Sequence, residues 1–251
     1  MTRLLSVLIG ALLLAASIIN FAQESATNEI FRMPDGTPDL RGIWQTVNTA
    51  VWNIQDHTGE LGTPAGQGVV EGNTLPYLPS ALEQRQKNYE NRLTEDPEAN
   101  CLMVGVPRIT YMPYPFQIAQ NENQLIMLYE YVHTVRNIHL NTEHPAGAIQ
   151  WWMGDSRAVW DNDTLVVDVT KFNDKTWFDR SGNFHSEELH VVERYTPIGP
   201  NHMNYEATIT DPKVFSESWT MSMPLYRRQE SNMVLLEYEC YAYMEEARDA
   251  Q

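Results

Sequence analysis

Residues 156–170 read SRAVWDNDTLVVDVT. Side chains alternate in character on both sides of Asp161-Asn162-Asp163, and β-branched residues dominate the second half. Alternation with period two predicts strands, and a short Asn/Asp cluster between two such runs predicts a tight turn. The stretch is therefore a β-hairpin, and the text around it repeats the pattern. Residues 189–210 (LHVVERYT–PIGPNH–MNYEATIT) predict a second hairpin, and residues 216–228 with 232–243 a third. Upstream, residues 123–140 (NQLIMLYEYVHTVRNIHL) predict one long strand, and the prolines of residues 106–118 suit an irregular or edge strand. A first strand is expected around residues 42–47. Six or more antiparallel strands in chain order describe a meander. A meander of this length closes into a barrel or folds into two sheets to remove its exposed edges.

The rest of the chain is less regular. Residues 55–79 are rich in glycine and proline and predict a long loop. Residues 80–94 predict the one clear helix. Ser80 and Glu83 fit a capping box, and Leu82, Gln86, Tyr89 and Leu93 form a thin apolar stripe. At the start, Arg3 precedes an apolar run from Leu4 to about Ala16. That is the pattern of a secretory signal peptide, too short for a membrane span of about 20 residues. Residues 1–22 are read as the leader, with an N-terminal membrane anchor as the other reading, and residues 23–251 as one domain. After leader removal no stable membrane insertion is expected.

The formal net charge is −16 at pH 7, and the leader carries one Arg and no acid. Such acidity argues against nucleic acid and anionic lipid as partners. Cys101 and Cys240 are the two cysteines. In an exported chain they predict one disulfide, the other reading being two free thiols. Two cysteines so far apart do not suggest a structural zinc site.

Gly42-Ile43-Trp44, at the first strand, resembles the G-x-W signature of lipocalins and other calycin barrels, in which the tryptophan closes the bottom of the barrel. The fold expected is thus mainly β, an antiparallel meander closing into a calycin- or lipocalin-like barrel with one helix and a long N-terminal loop. A second resemblance is broader. DPEANCLMVGVPRITYMPYPFQI, WWMGDSRAVWDNDTLVVDVTKFNDKTWFD, GNFHSEELHVVERY and ITDPKVFSESWTMSMPLYR are similar to a widespread group of exported bacterial proteins, common in acidobacteria and proteobacteria. The resemblance covers roughly residues 36–245. It implies export and a bacterial source, and it implies no activity.

Candidate chemistry concentrates in residues 176–195, TWFDRSGNFHSEELHVVERY. One reading takes His133, His185 and His190 with a carboxylate as ligands of a divalent metal. Their spacing matches no ready-made motif, and no metal or other cofactor is assigned. A second reading pairs His133 with Asp179, His185 or Glu193 for acid–base work, as in a cofactor-independent lyase, isomerase or cyclase; His190 joins the same candidate set. Arg136 and Arg180 could hold a carboxylate or enolate, although strand parity puts Arg136 opposite His133. A third reading makes these side chains turn formers and a solvated rim. The face of Leu125, Met127, Tyr129, Tyr131 and His133, with Trp219, Met221 and Met223, suits a wall around a ring-bearing or apolar ligand. Trp44, Trp177 and Arg136 complete the predicted ligand-binding set. The leading expectation is an exported barrel that binds a small aromatic or apolar molecule in its cavity. Self-association through strand edges is left open.

Overall fold

The computed structural model describes residues 29–60 and 62–249. The predicted leader lies outside the described residues. Nine strands close into one barrel in chain order. They are β1 (Gly42–Gln45), β2 (Phe116–Gln120), β3 (Gln124–Tyr129), β4 (Val135–Leu140), β5 (Asp155–Asp161), β6 (Thr164–Thr170), β7 (His190–Gly199), β8 (His202–Thr210) and β9 (Trp219–Arg227). The β5–β6 and β7–β8 hairpins are those expected, and the mainly β, calycin-like barrel stands.

One feature departs from a pure meander. Strand direction reverses at every antiparallel neighbour, and a closed ring must return to its starting direction. The number of antiparallel pairs is therefore even, so a nine-strand ring needs a parallel pair. Here it is β4–β5; every other neighbouring pair is antiparallel. A parallel connection needs a crossover of about a dozen residues or more, which residues 141–154 supply. The parallel pairing is short: Ile138, His139 and Leu140 face Ser156, Arg157 and Ala158. Residues 135–137 of β4 have no partner on the β5 side: pairing starts at Ile138–Ser156, and β5 itself starts one residue earlier, at Asp155.

The expected long strand 123–140 is a hairpin instead. β3 ends at Tyr129, and a helical turn over Tyr131–His133 holds Val132 and His133 at positive φ (43° and 49°) before β4 begins. The turn shifts the alternation. Leu125, Met127 and Tyr129 point inward from β3, and Arg136, Ile138 and Leu140 from β4. Arg136 is thus an interior side chain and His133 an exposed one, the reverse of the predicted wall.

The strand expected within residues 232–243 does not form. β9 already pairs with β8 on one edge and β1 on the other, and Val69 and Val70 cover the part of that second edge that short β1 leaves free. No edge remains for a tenth strand. The chain runs on without strand partners and enters α3 (Cys240–Asp249), held by the predicted Cys101–Cys240 disulfide. The helix predicted at 80–94 appears as α1 (Pro79–Glu90) followed by the short α2 (Arg92–Glu95). Pro79 opens α1, and the Ser80–Glu83 cap is not made. The predicted stripe faces water at Leu82 and Leu93, while Ala81 and Asn88 are buried. The helix packs through polar contacts on a glycine: Asn88 Nδ2 donates to the Gly182 carbonyl at 3.2 Å. A Cβ at Gly182, which has φ +79°, would meet Asn88 at 2.7 Å.

The two ends of the barrel are built differently. At one, Trp44 is buried, its indole Nε1 donates to the Leu40 carbonyl at 2.8 Å, and the Arg227 guanidinium lies 4.5 Å from its ring centroid. At the other, buried Arg108 pairs with Asp96 through two bonds of 2.7 and 2.9 Å and with Glu98 at 2.7 Å, and Glu98 also accepts from Arg180. Among the described residues no helix is long and apolar enough to cross a membrane.

Candidate functional site

Inside the barrel, β4 and β7 bring together a charged pair. Arg136 donates through Nη1 and Nη2 to the Glu193 carboxylate, and its Nε donates to Ser156 Oγ at 3.0 Å. Tyr195 and Tyr205 donate their hydroxyls to the same Glu193 oxygen at 2.9 and 2.8 Å. Burial opposes the charge on Arg136, but the facing carboxylate outweighs it and holds the guanidinium pKa well above its ordinary value. Burial pushes the Tyr195 and Tyr205 hydroxyls upward, with Glu193 adding to the shift. Phe116, Met127, Tyr129, Met203 and Met221 are buried in the same core. The chain's own side chains therefore occupy the space in which a ligand was expected.

Room is found instead in the wall. Where residues 135–137 lack a partner, a slot of about 420 Å³ opens beside β4 and β5. Met103, Val135, Trp151 and Trp152 line its sides, and Arg136 and Ser156, each only 2% exposed, form its floor. The crossover 141–154 supplies both tryptophans, and its position is fixed by two sets of contacts. Trp151 exchanges backbone bonds with the 171–173 segment. On the outer surface His144 Nδ1 lies 2.5 Å from Asp155, its Nε2 lies 2.8 Å from Asp168, and the other Asp168 oxygen lies 2.8 Å from His190. Arg157 closes this row against Asp155.

A second opening, a groove of about 480 Å³, lies beside the Arg108 end, with Trp52, Arg92, Glu98 and Arg180 on its walls. The Arg180 guanidinium lies 5.1 Å from the Trp52 ring centroid and is paired with Glu98.

The residues singled out in the sequence fall into separate neighbourhoods. His133 is half exposed and lies 3.1 Å from Glu239 of the C-terminal segment. His185 is buried against Phe172 and Phe178, with Nε2 at 2.6 Å from Thr176 Oγ1 and Nδ1 at 2.8 Å from the Ser186 carbonyl. Burial lowers its pKa. Asp179 is buried and accepts from the backbone amides of Ile54, Ser181 and Asn183 and from Asn183 Nδ2. Burial raises its pKa against the pull of those donors. Those bonds give Asp179 the work of tying residues 179–183 to the N-terminal loop. His133, His185, His190, Asp179 and Glu193 share no hydrogen-bond partner with one another. Among the described residues no group of three or more His, Cys, Asp or Glu side chains is arranged to hold a metal ion.

Of the predicted ligand wall, Arg136 alone reaches the slot. Trp44, Tyr129 and Met221 are core. Tyr131 stacks on Tyr238 at 5.8 Å. Trp219 packs edge-on against Phe178 and Phe215. Trp177 sits at a surface hollow beside His185. Ser156, Trp151, Trp152 and Met103 were not singled out. The alternation of the 156–170 hairpin does place Ser156 on the same face as Ala158, but nothing local says that this face meets an arginine.

Comparison with protein-family models, with curated proteins and with solved structures found no match.

Proposed function

We propose that the chain is an exported ligand-binding barrel that takes a small aromatic or apolar molecule in the wall slot. One observation carries this reading: two tryptophans, a methionine and a valine flank an opening whose floor is a buried, polar Arg136–Ser156 pair. Apolar walls with a few fixed polar groups are the usual makeup of a small-molecule site, and about 420 Å³ is within the usual size range. Export is supported by the Cys101–Cys240 bond, since disulfides persist in oxidising compartments.

Fluorescence titration with phenylnaphthylamine, a neutral apolar probe, tests the reading. Trp151→Ala and Trp152→Ala should each weaken binding by about tenfold or more, as expected for aromatic anchors that a bound ligand covers. Trp52→Ala, in the other groove, should leave the affinity within about twofold of the parent. Equal affinity in the parent and in both slot variants would remove the slot from consideration.

A further inference from the structure

The geometry points to Glu193 and Ser156 as the residues that set the ligand's chemistry: the slot selects a neutral ring bearing a hydrogen-bond acceptor, such as a ketone, ester or lactone, and discriminates against a carboxylate. This inference rests on the slot being the binding site.

The argument begins with charge. Arg136 on the floor would ordinarily attract a carboxylate, but Glu193 already meets both of its terminal nitrogens from inside the barrel. The one carboxylate on the slot lining, Asp155, is paired with Arg157 and His144, and His139 also lines the slot. Lys175 lies over the Trp152 ring at 5.8 Å and does not line the slot. An incoming anion would find the Arg136 cation already neutralised in a setting where burying an unpaired charge is costly. The chain's net charge of −16 adds repulsion at long range.

Hydrogen bonding then sets polarity. Ser156 Oγ accepts from Arg136 Nε, and the hydroxyl proton of Ser156 has no acceptor among the described residues. A hydroxyl that accepts from a guanidinium is polarised as a donor, and the ligand atom it fits is an acceptor oxygen. The tryptophan walls supply the surface for the ring.

The test compares three near-isosteric probes on the purified, disulfide-intact protein: methyl naphthyl ketone, naphthoate and ethylnaphthalene. The unmodified protein should bind the ketone about tenfold more tightly than either of the others, one good hydrogen bond's worth. Ser156→Ala should bring the ketone down to the level of the hydrocarbon. Glu193→Gln, which leaves Arg136 unneutralised, should shift the ketone-to-naphthoate ratio by about tenfold or more toward naphthoate. The ratio in the unmodified protein needs no variant, so poor folding of Glu193→Gln cannot mask the answer. A preference for naphthoate, or a Ser156→Ala variant that still favours the ketone, overturns the inference while leaving the slot as a site. Absence of binding by all three probes, or binding untouched by Trp151→Ala and Trp152→Ala, overturns the slot reading itself.

Discussion

Arg136 on β4 and Glu193 on β7 form an ion pair inside the barrel, with side-chain exposures of 2% and 0%. Two charges at that depth are tolerated because each meets further partners: Ser156 on the arginine, Tyr195 and Tyr205 on the carboxylate. A buried pair of this kind is costly to break and less costly to replace whole. Glu193→Leu alone should destabilise the fold by about 3–5 kcal/mol. The double variant Arg136→Met with Glu193→Leu should lose clearly less than the sum of the two singles. Urea denaturation of the four proteins measures the coupling; additive losses would mean that the pair contributes nothing as a pair.

One end of the barrel is built on Trp44 and Arg227. The Arg227 guanidinium covers the indole and donates to the backbone carbonyls of Asp39, Arg41 and Pro200. Gly42 has φ +131°, and a Cβ there would meet Arg227 Nη1 at 2.9 Å. Gly42→Ala should therefore cost about 1–3 kcal/mol through backbone strain and displacement of that arginine. Trp44→Ala should cost about 3–5 kcal/mol. Thermal melts of the two variants check both, and a neutral Gly42→Ala would show that the arginine can move away freely.

His185 predicts a pH dependence. Its imidazole is buried and its pKa is pushed below the ordinary 6.5 by that burial. A group with a depressed folded pKa contributes stability above its unfolded pKa and loses it as pH falls through the folded value. The melting temperature should therefore drop as pH is lowered from about 6.5, and His185→Gln should flatten this part of the curve. Parallel curves for parent and variant would assign the acid sensitivity elsewhere.

The Cys101–Cys240 bond spans a separation of 139 residues, enclosing β2 through β9. For a loop of that length the chain-entropy contribution is at most about 5 kcal/mol. α3 buries none of its residues. Reduction should lower the melting temperature while leaving the barrel folded, and should make the C-terminal segment cleavable near exposed Leu236 and Tyr241. Limited proteolysis followed by mass spectrometry reads this directly; unchanged cleavage would mean that Tyr238, tilted against Tyr114 and stacked on Tyr131, holds the segment unaided.

Where sequence and structure agree, the information is local. The Asp161-Asn162-Asp163 turn and the alternation around it are contained within fifteen or so residues, and the β5–β6 hairpin forms as they predict. Where they differ, the deciding information lies elsewhere in the chain. The apolar run of 123–140 continues through the turn at Tyr131–His133, so nothing in its composition marks the reversal that sends Arg136 inward. Residues 232–239 have strand-like composition, but β1 and Val69–Val70 already occupy the edge they would need. Glu193 was singled out from its neighbours, yet its partner lies 57 residues earlier, on a strand whose register depends on that same turn. The pairing of a charge with its counter-charge is a property of the closed ring, and no window of the sequence contains it.

An odd ring of alternating neighbours is frustrated in the way an odd ring of antiferromagnetic spins is: alternation cannot hold all the way round, and one mismatched bond must be lodged somewhere. In this protein the mismatch is lodged between β4 and β5, and the slot opens beside it. The opening need not have been carved out of an intact wall by losing side chains. The parallel pair follows from strand count, and the slot opens where that pair is short. An eight- or ten-stranded relative would have no such obligation, and its wall could be sealed throughout.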